Sequence, residues 1–67
     1  MKILLNNEPV ILPEEVKTIA DFTLWKEIRP LGTAIAVNGK VIPQSQWESS
    51  LIKDDESIIV ITAAFGG

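Results

Sequence analysis

The pair Asn38-Gly39, set between Thr33–Val37 and Lys40-Val41-Ile42, limits the folds open to this chain more than any other feature. A two-residue type I′ turn needs positive φ at both central positions, and Asn-Gly meets that need at low steric cost. The spacing therefore predicts a β-hairpin. Gly32 opens it, and Pro43 closes it because proline cannot donate to a ladder. A second hairpin is expected at the start of the chain. There, Lys2–Leu5 is followed by the turn residues Asn6-Asn7, then by the apolar residues 10–12, with Pro13 as the stop. A last strand is predicted at Ser57–Thr62, entered through the charged turn Lys53-Asp54-Asp55-Glu56.

Between the hairpins the pattern changes. Residues 13–17 read as a polar connector, and Thr18 with Asp21 has the spacing of a capping box. A helix is predicted over residues 19–28, stopped by Pro30, which biases Arg29 away from helical geometry. Ile19, Phe22 and Trp25 share one side of it, while Leu24 and Ile28 widen the apolar stripe. Residues 44–50 are polar apart from Trp47 and predict a turn or a single helical turn, with Leu51-Ile52 as a small apolar contact. Trp47 reads as a packing residue, since aromatic side chains dominate small cores. Trp25 reads as an interface anchor if the helix exposes it.

The order strand, strand, helix, strand, strand, strand implies a two-layer α+β fold. Its first and last strands are the most apolar and belong in the middle of the sheet. That arrangement is a β-grasp: a mixed sheet of four to five strands with one main helix on one face.

Composition narrows the function. At 67 residues the chain allows one small domain. Ile, Leu, Val and Phe number 23, enough to build a core. There is no Cys and no His, which removes disulfides, imidazole bases, thiol nucleophiles and the usual zinc ligands. A net charge of −3 argues against nucleic acid and against anionic membrane surfaces. The longest apolar stretch, residues 58–65, has eight residues, against roughly 20 for a membrane helix. Met1-Lys2-Ile3-Leu4-Leu5 begins like a signal segment, but Asn6-Asn7-Glu8 interrupts it. A cytoplasmic location is expected.

The remaining signal lies at Ala63-Ala64-Phe65-Gly66-Gly67. The sequence divides into a domain over residues 1–62 and a flexible tail over 63–67. Two glycines do little for a strand end, because each loses much backbone entropy on ordering. They permit threading: with no side chain and free φ and ψ, Gly66 lets the Gly67 carboxylate enter a narrow channel in another protein. A frayed terminus is the alternative, and the β-grasp pattern in front of the tail favours threading.

The whole chain resembles the ThiS sulfur carriers of thiamin biosynthesis, relatives of the MoaD molybdopterin sulfur carriers and of ubiquitin. The resemblance is carried by Met1-Lys2-Ile3 with Asn6, by Ala36-Val37-Asn38-Gly39, by Val41-Ile42-Pro43, by Trp47, by Leu51 with the acidic turn, and by Thr62-Ala63 through Gly66-Gly67. Asp55 stands where the family usually has Gly, at a turn expected near the left-handed region, which Asp tolerates better than most residues. Glu56 replaces a usual Asp, and Gln44 stands where a basic residue is frequent.

The resemblance implies a ubiquitin-like fold and a carrier that is not an enzyme and binds no cofactor or metal itself. A ThiF-like adenylyltransferase would use ATP and Mg²⁺ to turn the Gly67 carboxylate into an acyl-adenylate. A persulfide protein would supply sulfur to give a Gly67 thiocarboxylate. A ThiG-like thiazole synthase would accept that sulfur for thiazole phosphate. The same chemistry serving molybdopterin or a sulfur amino acid, or a ubiquitin-like interaction module without sulfur chemistry, are the alternatives.

In the last strand Ile58, Val60 and Thr62 alternate with Ile59, Ile61 and Ala63. One set must face the helix. The other makes the open side of the sheet apolar, where polar residues are the norm. Ile59 and Ile61, with Phe65, are therefore expected to dock on the activating enzyme and on the sulfur acceptor. Cover by a loop, by the Trp47 segment or by a second copy is the competing expectation.

Overall fold

The computed structural model describes residues 1–62. Their strands are β1 (Lys2–Leu5), β2 (Glu8–Ile11), β3 (Thr33–Val37), β4 (Lys40–Ile42) and β5 (Ser57–Thr62). One α-helix, α1 (Ile19–Trp25), lies between β2 and β3, and a short 3₁₀ turn occupies Gln44–Gln46.

Both hairpins close on left-handed pairs, Asn6 (φ 49°) with Asn7 (φ 69°) and Asn38 (φ 50°) with Gly39 (φ 83°). Strand β2 starts earlier than its apolar residues suggest, because the two-residue turn delivers Glu8 directly opposite Leu5. Pro9 is tolerated there because β2 is an outermost strand. Leu12 lies just beyond β2 but is buried, and its N–H donates to the Met1 carbonyl at 2.8 Å.

The strand order is β2-β1-β5-β3-β4, with β1 and β5 parallel and the other neighbours antiparallel. The most apolar strands, β1 and β5, are thus interior, and β5 is central. The sheet has five strands and is mixed, within the expected β-grasp architecture.

The capping box forms as predicted. Thr18 Oγ1 accepts from the Asp21 N–H at 3.0 Å, and Asp21 Oδ2 accepts from the N–H groups of Thr18 (3.2 Å) and Lys17 (3.1 Å). The first two helical N–H groups find partners elsewhere: Ile19 donates to the Ser50 carbonyl and Ala20 to the Trp47 carbonyl, both at 3.0 Å. The orphan donors of the helix start are thereby satisfied, and the segment after the 3₁₀ turn is fastened to the helix.

The helix stops at Trp25, short of residue 28, and Pro30 is not the cause. Glu27 takes a left-handed φ of 55°. Its N–H donates to the Leu24 carbonyl at 3.2 Å, and the Ile28 N–H donates to the Thr23 carbonyl at 2.8 Å. These two bonds make a Schellman motif, which turns Ile28 back to pack against the core.

The core differs from the sequence reading at three places. The buried helix face is Ile19, Phe22 and Thr23, with Trp25 39% exposed and Leu24 79% exposed. The early stop rotates no further turn over the sheet, so Trp25 stays at the margin. Val16, inside the polar connector, is buried, because its N–H bonds to the Pro13 carbonyl (3.1 Å) and that turn aims the side chain inward. Of the Leu51-Ile52 pair only Ile52 is buried. Trp47 packs as expected, buried with its Nε1–H donating to the Ile42 carbonyl at 2.9 Å. Among the described residues every buried side-chain polar atom has a hydrogen-bond partner.

The Asp21 carboxyl is held below its ordinary value of 3.8, first by the Lys17 N–H and then by the Thr18 N–H. A depressed folded value adds stability that is present above pH 3.8 and is lost as pH falls through the folded value. Wild type is therefore expected to be more stable than an Asp21→Asn variant near neutrality. The gap should close on acidification below that point. Urea midpoints measured across the acid range check it; a gap that stays constant with pH contradicts the charge assignment.

Candidate functional site

Strand β5 leads to the predicted tail and carries the predicted patch. Ile58 is fully buried and Val60 packs against the core, so this set faces the helix. Ile59 and Ile61 face the open side. Ile61 is 59% exposed, while Ile59 is half-buried with the small Ala36 directly opposite. Ala34 lies opposite Ile61, and Val41 lies opposite Ala36 and is also exposed. Two alanines on β3 thus leave the isoleucines of β5 standing above their neighbours. Leu4 and Ile11 carry apolar surface on the same open face across to β1 and β2.

Two of the competing covers are absent here. The Trp47 segment packs on the helix side, with Trp47 in the core, and no described loop buries Ile61. Trp25 does not join this surface. It lies on the helix, with its ring 6.3 Å from that of Phe22 and the Lys26 ammonium 5.4 Å from its centre. Phe65, Gly66 and Gly67 lie outside the described residues.

Two residues at this strand were read from sequence only as turn formers and resemblance markers. Asn38 Oδ1 accepts from the Ser57 N–H at 3.0 Å, at the entry of β5. Asn6 Oδ1 accepts from the Val60 N–H at 2.8 Å, near its exit. Nothing in one sequence distinguishes an Asn chosen for positive φ from one whose carboxamide also bridges to a strand far along the chain. The charged turn before β5 is ordered by the same kind of bond: the Lys2 N–H donates to Asp54 Oδ1 (2.8 Å) and the Lys53 N–H to Glu56 Oε1 (2.6 Å). Asp55 takes the left-handed φ of 64° that its position implied.

Among the described residues no group of three His, Cys, Asp or Glu side chains is placed to hold a metal ion, and no helix is long and apolar enough to cross a membrane. A mixed sheet with one helix on one face and an apolar central strand leading toward Gly-Gly defines a ubiquitin-like β-grasp protein.

Comparison with known proteins narrows this class. The model of the ThiS family matches residues 3–67, and the chain belongs to that family. It is similar to the sulfur carrier protein ThiS of Escherichia coli K12, 25% identical over 67 residues that span both chains in full. Its fold matches the crystal structure of the thiamine biosynthesis protein ThiS from Geobacter metallireducens. The TM-score is 0.85 at 14% identity, and both chains are covered completely. Membership implies work with sulfur-transfer partners.

Proposed function

We propose that this chain carries sulfur for thiamin biosynthesis as a thiocarboxylate on Gly67. The observation that carries the reading is the family match, which runs from β1 to Gly67 over residues 3–67 on a β-grasp body. The protein is a carrier, not a catalyst. A carboxylate is a poor electrophile, so the chemistry belongs to partners. A ThiF-like adenylyltransferase, with ATP and Mg²⁺, joins the Gly67 carboxylate to AMP and releases pyrophosphate. A persulfide sulfur then attacks the acyl carbon and expels AMP. Cleavage of the resulting S–S bond by a second thiol leaves the thiocarboxylate. A ThiG-like thiazole synthase takes that sulfur for thiazole phosphate. The chain supplies a compact body and a tail whose Gly66 permits threading, and it needs no His or Cys for that task.

Intact-protein mass spectrometry after incubation with the adenylyltransferase, ATP and a persulfide donor tests the reading. Replacement of one oxygen by sulfur at Gly67 is expected; an unchanged mass overturns it.

The docking surface we assign to the adenylyltransferase is the open face around Ile59 and Ile61, extended by Phe65. Support comes from continuity, since the strand that carries the isoleucines leads directly into the tail that must enter that partner. An Ile61→Asp substitution is expected to weaken binding about 10-fold or more, as loss of an interface anchor does. Its melting temperature should stay close to wild type because the side chain is largely exposed. Unchanged affinity removes the patch from the interface.

A further inference from the structure

Strand β1 accompanies β5 for only part of its length. The parallel register pairs Leu4 with Ser57 and Leu5 with Ile58. The Asn6 N–H then donates to the Ile58 carbonyl at 2.9 Å, and the chain turns away into β2 through Asn6 and Asn7. Beyond that point β1 has no backbone to offer β5. The Asn6 carboxamide replaces the missing rung. Its Oδ1 accepts from the Val60 N–H at 2.8 Å, and its Nδ2 donates, more loosely, to the Val60 carbonyl at 3.5 Å. On its other side Val60 pairs with Ile35 of β3. The Val60 backbone is thus held on the β1 side by Asn6 alone, two residues before Thr62, where the described part of β5 ends.

We propose that Asn6 is a positioning residue for tail activation: by clasping Val60 it fixes the end of the described part of β5, from which the chain continues to Gly67. It touches no reacting atom and acts through β5. This rests on the reading of Gly67 as the site that is adenylated. Positive φ alone would accept Gly at position 6, so the clasp is separable from the turn. The molecule also contains its own control. Asn38 holds the same place in the other hairpin and makes the same Oδ1 bond, but to Ser57, at the end of β5 remote from the tail.

The test compares full-length wild type with Asn6→Gly, Asn6→Asp and Asn38→Gly at a temperature where all four are folded. Amide exchange of Val60 is followed alongside steady-state adenylation by the partner enzyme, read as kcat and KM for the carrier. In Asn6→Gly, Val60 exchange should rise roughly 3- to 10-fold, the effect of losing one hydrogen bond. Its kcat should fall roughly 10- to 100-fold, as misplacement of a reacting group does, with KM little changed because the docking face is intact. Asn6→Asp keeps the Oδ acceptor and should restore most of kcat. Asn38→Gly should lower stability but leave kcat at the wild-type value. Wild-type kcat in Asn6→Gly, an equal loss in Asn38→Gly, or unchanged Val60 exchange in Asn6→Gly each overturns the proposal. A wild-type carrier that its partner does not adenylate overturns instead the reading on which the proposal rests, whatever the exchange data show.

Discussion

Deletion of Gly67 abolishes sulfur loading, while the truncated protein keeps the melting temperature of wild type. The two readouts separate because, among the described residues, the core and the residues packed on it reach no further along the chain than Val60. Shortening the tail by one residue retracts the carboxylate by about 3.3–3.6 Å. Catalysis that depends on placing reacting atoms falls by about 100-fold for a displacement of only about 1 Å. The deletion leaves an equivalent carboxylate on Gly66, so the loss comes from its position and not from a missing reacting group. Intact-mass analysis reads sulfur loading, and the release of pyrophosphate reads the adenylation that precedes it. Sulfur loading that survives the deletion would place the chemistry elsewhere.

The second large effect falls on the body. Phe22 is fully buried at the centre of the helix face, against a core that includes Ile3, Ile35 and Ile58. Phe22→Ala is expected to cost about 3–5 kcal/mol, combining lost transfer energy with a cavity that a close-packed core closes poorly. A domain of 67 residues has roughly 3–10 kcal/mol to lose. The variant should therefore be marginal or unfolded at 25 °C. Leu24→Ala, two residues along on the exposed face, should stay within about 0.5 kcal/mol of wild type. Urea titration followed by the fluorescence of buried Trp47 measures both. Similar losses for the two variants would contradict the assigned helix face.

What the sequence made legible follows the range of the interactions involved. Turns are local, so Asn38-Gly39 and Asn6-Asn7 announce their hairpins, and Thr18 with Asp21 announces the helix start. The helix end was misplaced because its stop is a left-handed Glu27, a conformation that no Gly or Asn signals. Val16 was missed because its burial depends on the turn at Pro13 and not on any periodic pattern. For the site, alternation along β5 put Ile59 and Ile61 on an apolar open face, but how far each stands exposed depends on Ala36 and Ala34 across the sheet. The carboxamide bonds of Asn6 and Asn38 span 54 and 19 residues, and local pattern carries no trace of them.

The placement of β5 has a consequence for how the protein is made. Among the described strands β1, the first in chain order, pairs with β2 on one side and with β5, the last of them, on the other. Strands β3 and β4 likewise reach the rest of the sheet only through β5. Contacts between distant parts of a chain form only after the intervening segment exists and its closure entropy has been met. Two separate hairpins with a helix between them cannot bury Ile3 and Ile35 in one core until residues 57–62 have been synthesised. A folded body is thus a certificate that translation has passed the strand leading to the tail. A partner that recognises the assembled sheet discriminates against chains cut short before that strand, with no need to inspect the tail itself.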